Sequence, residues 1–148
     1  MPLIIKMKLN IDPDEILKVY TDGASRGNPG PAACAFIIVQ SSKILFSNVK
    51  YIDQATNNVA EYNAIINALN QIKENYSGEV EVYSDSNLAI QQINGKWKIN
   101  YPHLAKLQKA VLKISDTFKR VKFAHVSRDN PFIQQCDELC NRKLDEQL

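Results

Sequence analysis

The sequence is poor in residues that mark several classes of protein. Of its 148 residues, only five are glycine, six are proline and three are cysteine. So little glycine and proline excludes a collagen-like or low-complexity chain. The odd set of cysteines (Cys34, Cys136 and Cys140) gives neither a paired disulfide framework nor a zinc-binding spacing. Free thiols favour a reducing compartment, so we expect a cytoplasmic protein.

The chain also lacks long apolar runs. None approaches the roughly 20 residues that span a bilayer, so no membrane association is expected. The N-terminal residues have no sustained apolar core and no small-residue cleavage site, so no signal peptide is expected. The remaining composition, 45% hydrophobic and 23% charged, is that of one globular domain.

Charge is unevenly distributed, although the net charge is only +2. Residues 96–128 contain nine Lys or Arg against one acid, Asp116, a net +8, whereas the rest of the chain has nine basic and fifteen acidic residues, a net −6. We call residues 96–128 the basic band. Such a distribution is typical of a protein that binds a polyanion on one face and cations on another. The alternative is that the basic residues form the solvent-exposed face of a helix. No obligate protein partner is predicted.

The apolar periodicity predicts elements in the order β-β-β-α-β-α-α-β-α. Predicted strands cover 16–22, 32–40, 44–51, 79–85 and 120–126, and predicted helices cover 57–75, 86–93, 101–115 and 133–146. The helical connections require parallel pairing of the first, fourth and fifth strands, and the hairpin adds antiparallel strands at one edge. We expect an N-terminal arm over 1–15 and one α/β domain over 16–148, built on a mixed five-stranded sheet.

Three carboxylates are poorly explained by folding alone. Asp22 and Asp85 each end a predicted parallel strand, where open α/β sheets bind their ligands. Glu61 lies within the apolar stripe of a predicted helix and points toward the sheet. Clustered negative charge is costly unless cations cancel it, and oxygen ligands favour Mg²⁺ or Mn²⁺. A fourth acid, Asp137, opens the last helix and could reach the same edge. The alternative is that these acids cap turns and helices.

Amide side chains follow the same predicted edge of the sheet. They are Asn28, Asn57, Asn58 and Asn87. Amides can read sugar hydroxyls, phosphates and minor-groove edges without fixing one sequence. Turn and cap formation is the alternative use of asparagine.

Four segments carry a resemblance to a known family: YTDGASRGNPGPAACAF, TNNVAEYNAIINAL, VYSDSNLAIQQINGKWKI and CDEL. Together they resemble the type 1 ribonuclease H family, over residues 18–146. The combination of TDG…GNPG, NN-x-x-E and SDS in this order is highly specific. The resemblance implies a ribonuclease H-like fold with strand order 3-2-1-4-5, in which 16–148 form the catalytic domain. It implies a metal-dependent endonuclease that cuts the RNA strand of RNA/DNA hybrids and leaves 5′-phosphate and 3′-hydroxyl ends.

The resemblance also assigns residues by position. Asp22, Glu61, Asp85 and Asp137 match the family's metal-coordinating carboxylates, which can hold two Mg²⁺ about 4 Å apart, with Mn²⁺ as a substitute. Positions that match contacts to the hybrid are Gly23, Ser25, Asn28, Asn57, Asn58 and Asn87.

The sequence departs from the family pattern near its end. It lacks the basic protrusion of some members, and its last loop, HVSRDNPFIQQCD, has no glycine-flanked histidine. Arg128 aligns with the arginine that shorter members place there, so we expect Arg128 to assist catalysis. His125 continues the face of Val121 and Phe123 and is expected to be a packed or hydrogen-bonded strand residue, the alternative being that it assists the leaving group. Two alternatives stay open: a catalytically silent nucleic-acid-binding module, and a nuclease that also cleaves double-stranded RNA.

Overall fold

The computed structural model describes residues 10–147 of the chain. Its elements are β1 (Leu17–Ser25), β2 (Gly30–Gln40), β3 (Lys43–Ala55), α1 (Asn57–Lys73), β4 (Glu79–Ser84), α2 (Asn87–Ile93), α3 (Pro102–Ser115), β5 (Arg120–His125) and α4 (Pro131–Glu146). This order confirms the one predicted from the sequence.

The strands form one mixed sheet in the order β3-β2-β1-β4-β5, which confirms the predicted fold class. Strand β1 is central, antiparallel to β2 and parallel to β4, and β5 pairs in parallel with β4 at the edge. The carboxyl ends of β1, β4 and β5 therefore lie at the same edge of the sheet.

The turn between β1 and β2 is shorter than the sequence suggests. Residues 23–31 are rich in turn formers, yet the strand pairing continues to Ser25 opposite Ala32. The backbone N–H of Arg26 donates to the carbonyl oxygen of Pro31 at 2.8 Å and closes the turn. Only residues 26–29 remain outside the strands, so the connection is shorter than the segment 23–31 between the two predicted strands.

Helices cover both faces of the sheet. Helix α1 packs its buried side chains, among them Ile65, Leu69 and Ile72, against Leu17 and Val19 of β1. Helix α4 covers the other face, where Cys136, Cys140 and Leu144 pack against the alternate residues of β2. All three cysteines are buried free thiols. Burial raises the pKa of the Cys34 thiol to about 11, so this group stays neutral at ordinary pH.

The predicted arm over 1–15 falls mostly outside the described residues, which begin at residue 10. Within 10–15, the backbone N–H of Asp12 donates to Oε1 of Gln40 at 2.8 Å, and the Tyr76 hydroxyl donates to the carbonyl oxygen of Glu15 at 2.7 Å. This part of the arm is attached to β2 and to the segment after α1. Among the described residues, no helix is both long and apolar enough to cross a membrane.

Candidate active site

Two aspartates meet at the carboxyl ends of the central parallel strands. Asp22 lies in β1, and Asp85 directly follows β4. The register pairs Thr21 with Ser84, so the two aspartates follow paired residues of neighbouring strands. Asp22 is only 6% exposed. The placement follows from parallel pairing, which brings equivalent strand ends to one edge.

Helix α1 contributes the third carboxylate. The helix begins after Thr56, whose Oγ1 accepts a hydrogen bond from the backbone N–H of Val59 at 3.2 Å. This capping leaves Glu61 in the second turn, on the face that packs against the sheet. Glu61 is buried, at 9% exposure, as its place in the apolar stripe predicts. Its Oε1 accepts a hydrogen bond from the backbone N–H of Gly23.

The side chains of Asp22, Glu61 and Asp85 form a compact acidic cluster. Each offers a carboxylate oxygen, and these oxygens all lie within 4.8 Å of one another. Burial, followed by repulsion from Asp85, raises the pKa of Asp22 to about 8. Burial, followed by the Asp22 charge, raises the pKa of Glu61 well above its ordinary value. Without a counter-charge, the three groups resist full ionisation together.

One oxygen of this cluster has no hydrogen-bond partner. Oδ1 of Asp85 is buried, and within residues 10–147 nothing donates to it. A buried carboxylate oxygen without a donor is unfavourable, because it has lost water and gained no replacement. Oxygen ligands in this arrangement suit a hard divalent cation, which would satisfy the orphaned atom and cancel the repulsion.

The cluster opens into a cavity of about 590 Å³. Asp137 from α4 and Arg128 from the preceding loop line this cavity, together with Gly23, Asn57 and Asn58. The structure thus brings all four candidate carboxylates and Arg128 into one concave site, formed by β1, α1, the end of β4 and the start of α4.

Asn57 connects the β1–β2 turn to the helix. Its side-chain Oδ1 accepts hydrogen bonds from the backbone N–H of Ser25 at 3.0 Å and from the Ser25 hydroxyl at 2.9 Å. Its backbone N–H donates to Oδ1 of Asn28 at 3.0 Å. Ser25, Asn28 and Asn57 therefore form one hydrogen-bonded rim, of which Asn57 lines the cavity and Ser25 and Asn28 do not.

Asn87 lies apart from this rim. It is the first residue of α2 and is exposed, and its Oδ1 accepts from Nε2 of Gln91 at 3.1 Å. Asn87 does not line the cavity, although the sequence places it on the same edge.

The environment of His125 differs from the expectation. His125 ends β5 and is exposed, not packed. The alternation of side chains along β5 places His125 on the same face as Val121 and Phe123. However, β5 is an edge strand, and this face is exposed to solvent at the carboxyl end of the strand. Arg128, three residues later, is the basic residue that lines the cavity.

The sequence reasoning missed three polar residues of the cavity: Ser86, Asp129 and Gln134. Each has a signal in the sequence. Ser86 and Asp129 directly follow Asp85 and Arg128, and Gln134 lies one helical turn before Asp137.

Three known proteins and one family are similar to this chain. The reverse transcriptase-like family matches residues 20–142. A bifunctional protein of Mycobacterium tuberculosis is 34% identical over 86% of this chain, but the match covers only 35% of that protein, so the chain spans about a third of its length. Ribonuclease H of Clostridium botulinum is 32% identical over 86% of this chain and 95% of its own length. The crystal structure of LC11-RNase H1 in complex with RNA/DNA hybrid is 34% identical, with a TM-score of 0.82 over 88% of this chain and 97% of that one.

Proposed function

Because this chain belongs to the type 1 ribonuclease H family, we propose that it is a metal-dependent endonuclease that hydrolyses the RNA strand of RNA/DNA hybrids. The observation that carries the proposal is the acidic cluster of Asp22, Glu61 and Asp85, whose oxygens lie within 4.8 Å of one another at the floor of an open cavity. A module that only bound nucleic acid would gain nothing from negative charge facing phosphates.

The donor set fits divalent cations. Asp22, Glu61, Asp85 and Asp137 would hold two Mg²⁺, with Mn²⁺ as a substitute, because all four offer hard oxygen ligands. Bound there, the cations would supply the charge that activates the attacking water and stabilises the leaving 3′ oxygen, so that the products carry 5′-phosphate and 3′-hydroxyl ends.

The protein's own groups position the substrate. Asn57, Asn58 and Gly23 line the cavity, and hydrogen bonds connect Ser25 and Asn28 to Asn57. These groups would contact the ribose 2′-hydroxyls, which distinguish RNA from DNA. Asn87, the first residue of α2, does not line the cavity and would contact the hybrid outside it.

Arg128 would act on the phosphate. Arg128 lines the same cavity as the four carboxylates, and a guanidinium is a fixed positive charge. It would therefore stabilise negative charge as it develops on the scissile phosphate, and it would not donate a proton.

The decisive experiment compares three end-labelled duplexes: an RNA/DNA hybrid, double-stranded RNA and double-stranded DNA, each with Mg²⁺, Mn²⁺ or EDTA. We expect cleavage of the hybrid's RNA strand with either metal and none in EDTA. Hybrid binding without cleavage would instead indicate a silent module. Cleavage of double-stranded RNA at a comparable rate would show a broader nuclease.

The proposed cytoplasmic localisation is based on the state of the three cysteine thiols. Cys34, Cys136 and Cys140 are all free and buried, which supports the proposal of a reducing compartment such as the cytoplasm.

A further inference from the structure

A groove of about 870 Å³ lies between the ends of α2 and α3 and the edge strand β5. We call it the β5 groove. Its apolar lining residues are Ile93, Leu112, Phe118, Val121 and Phe123, and its polar lining residues are Asn94, Lys113, Ser115, Asp116, Lys119 and Arg120.

The floor of the β5 groove is accessible apolar surface. Leu112 is 41% exposed, although the other leucine, isoleucine and valine residues of α3 pack against the core. Val121 and Phe123 beside it are only half-buried. A leucine that is open to solvent next to two incompletely covered strand residues is a surface that an apolar side chain can cover favourably.

The rim of the groove is basic. Lys113, Lys119 and Arg120 are exposed, and within residues 10–147 none of them takes part in an ion pair. Asp116 is the one acid that lines the groove. These three cations are therefore available to a negatively charged partner.

Arg120, on the basic rim of the groove, lies at the opposite end of the parallel strands from the carboxylates, and the apolar side of the groove extends along β5 to Phe123. Arg120 is paired with Glu79 at the amino ends of β4 and β5. Asp85 comes six residues after Glu79, about 20 Å away along an extended strand. The basic band consequently serves two places: Arg128 lines the active-site cavity, whereas Lys113, Lys119 and Arg120 line this groove.

We propose that the β5 groove is a docking site for an acidic peptide segment of a partner protein, with apolar side chains that cover Leu112 and Val121 and carboxylates that pair with Lys113, Lys119 and Arg120. Charge complementarity identifies the occupant. A nucleic acid strand could place phosphates on these cations but would leave the apolar floor uncovered, because base stacking needs exposed aromatic faces and Phe118 and Phe123 are buried or half-buried. An edge strand beside an apolar groove also suits an extended peptide.

The test is selection of short random peptides displayed on phage against the full chain. We expect the enriched peptides to carry net negative charge together with apolar residues. Synthetic copies should lose at least about 10-fold in affinity for Leu112→Asp and for the double variant Lys113→Glu/Lys119→Glu. Lys43→Glu, the same charge reversal on the far edge strand β3, is the matched control and should bind normally.

Cleavage provides the second readout. Saturating peptide should leave hybrid cleavage by the wild-type protein unchanged, because the groove and the active-site cavity share no lining residue. Three results would each overturn the proposal: no enrichment of acidic peptides, selected peptides that bind the groove variants as well as the wild type, or competition between hybrid and peptide. Because the peptide selection does not depend on nuclease activity, failure of the proposed function would leave this test valid.

Discussion

The backbone N–H of Gly23 donates a hydrogen bond to Oε1 of Glu61, at a point where strand and helix are in direct backbone contact. A Cβ atom at position 23 would lie 2.3 Å from the carbonyl carbon of Ala60 and 2.5 Å from the backbone nitrogen of Glu61. Only glycine allows β1 and α1 to approach this closely. The approach is what brings the glutamate of the helix beside Asp22 of the strand.

We therefore expect Gly23→Ala to separate β1 from α1. Because the added methyl meets backbone and not a flexible side chain, unfolding free energy should fall by about 1 to 3 kcal/mol and kcat should fall as well. Gly95→Ala is the control: it has a positive φ of 75° but open space around it. The free energy of unfolding of this variant should fall by about 1 kcal/mol, because alanine is strained at a positive φ, and its kcat should not change. Denaturation and hybrid-cleavage assays measure both. A Gly23→Ala protein with normal kcat would show that this contact does not position Glu61.

The acidic cluster gives the next prediction. Asp22→Asn and Asp85→Asn should each lower hybrid cleavage by about 10³-fold, since each removes a charge that the cations need. Circular dichroism should remain that of the wild type. Asp14→Asn, the same change at an exposed turn, should be silent. Near wild-type turnover of Asp22→Asn in Mg²⁺ would contradict the metal assignment.

Stability without metal should depend on pH through the same cluster. The folded-state pKa of Asp22, about 8, is above its unfolded value, so the native state binds more protons than the unfolded chain between about pH 4 and that value. Raising the pH through this window therefore destabilises the metal-free fold. In EDTA, Tm should be lower at about pH 9 than at about pH 5.

Asp22→Asn is the control for this pH effect. It should raise Tm in EDTA more at the higher pH than at the lower, and Mg²⁺ should restore the stability of the wild type there. Equal effects of the substitution at both pH values would argue against charge repulsion in the cluster.

The sequence predicts the carboxylates better than their surroundings. Asp22 and Asp85 follow from strand ends and parallel pairing, and Glu61 follows from the helical wheel, all of which are periodic signals. The rim around Asn57 has no such signal, because its hydrogen bonds join residues about thirty positions apart. The exposure of His125 could not be predicted from the sequence either. Strand alternation assigns a residue to one face of the sheet, but it does not show whether another element covers that face.

Phosphate binding by the basic band can be tested on α3. Lys106→Glu/Lys109→Glu should weaken hybrid binding and flatten its salt dependence by about one logarithmic unit of slope per lost phosphate contact. Turnover at saturating hybrid should change little, since both side chains are exposed on α3 and neither lines the cavity. Binding titrations at several salt concentrations measure the slope, with Lys43→Glu as the control. An unchanged slope would mean that this face of α3 meets only solvent.

The last prediction separates Arg128 from His125. Arg128 lines the cavity with Asp85 and Asp137, whereas His125 is exposed at the end of an edge strand. Arg128→Ala should therefore slow turnover by roughly 10- to 10³-fold, as expected for loss of one charge contact in the transition state. His125→Ala should change stability by no more than about 0.5 kcal/mol, because it removes an exposed side chain.

The pH–rate profile decides between a fixed charge and a proton donor. A histidine that protonates the leaving group would give a descending limb near its ordinary pKa of about 6.5. A guanidinium does not titrate in this range. If Arg128 is the group that acts, the pH–rate profile of His125→Ala should therefore match that of the wild type. A limb that is present in the wild type and absent in His125→Ala, with Arg128→Ala nearly silent, would reverse the two assignments.

Arg128→Lys refines the comparison, because lysine keeps the charge but loses the planar pair of donors. Partial recovery of kcat in that variant would identify charge as the main contribution of Arg128.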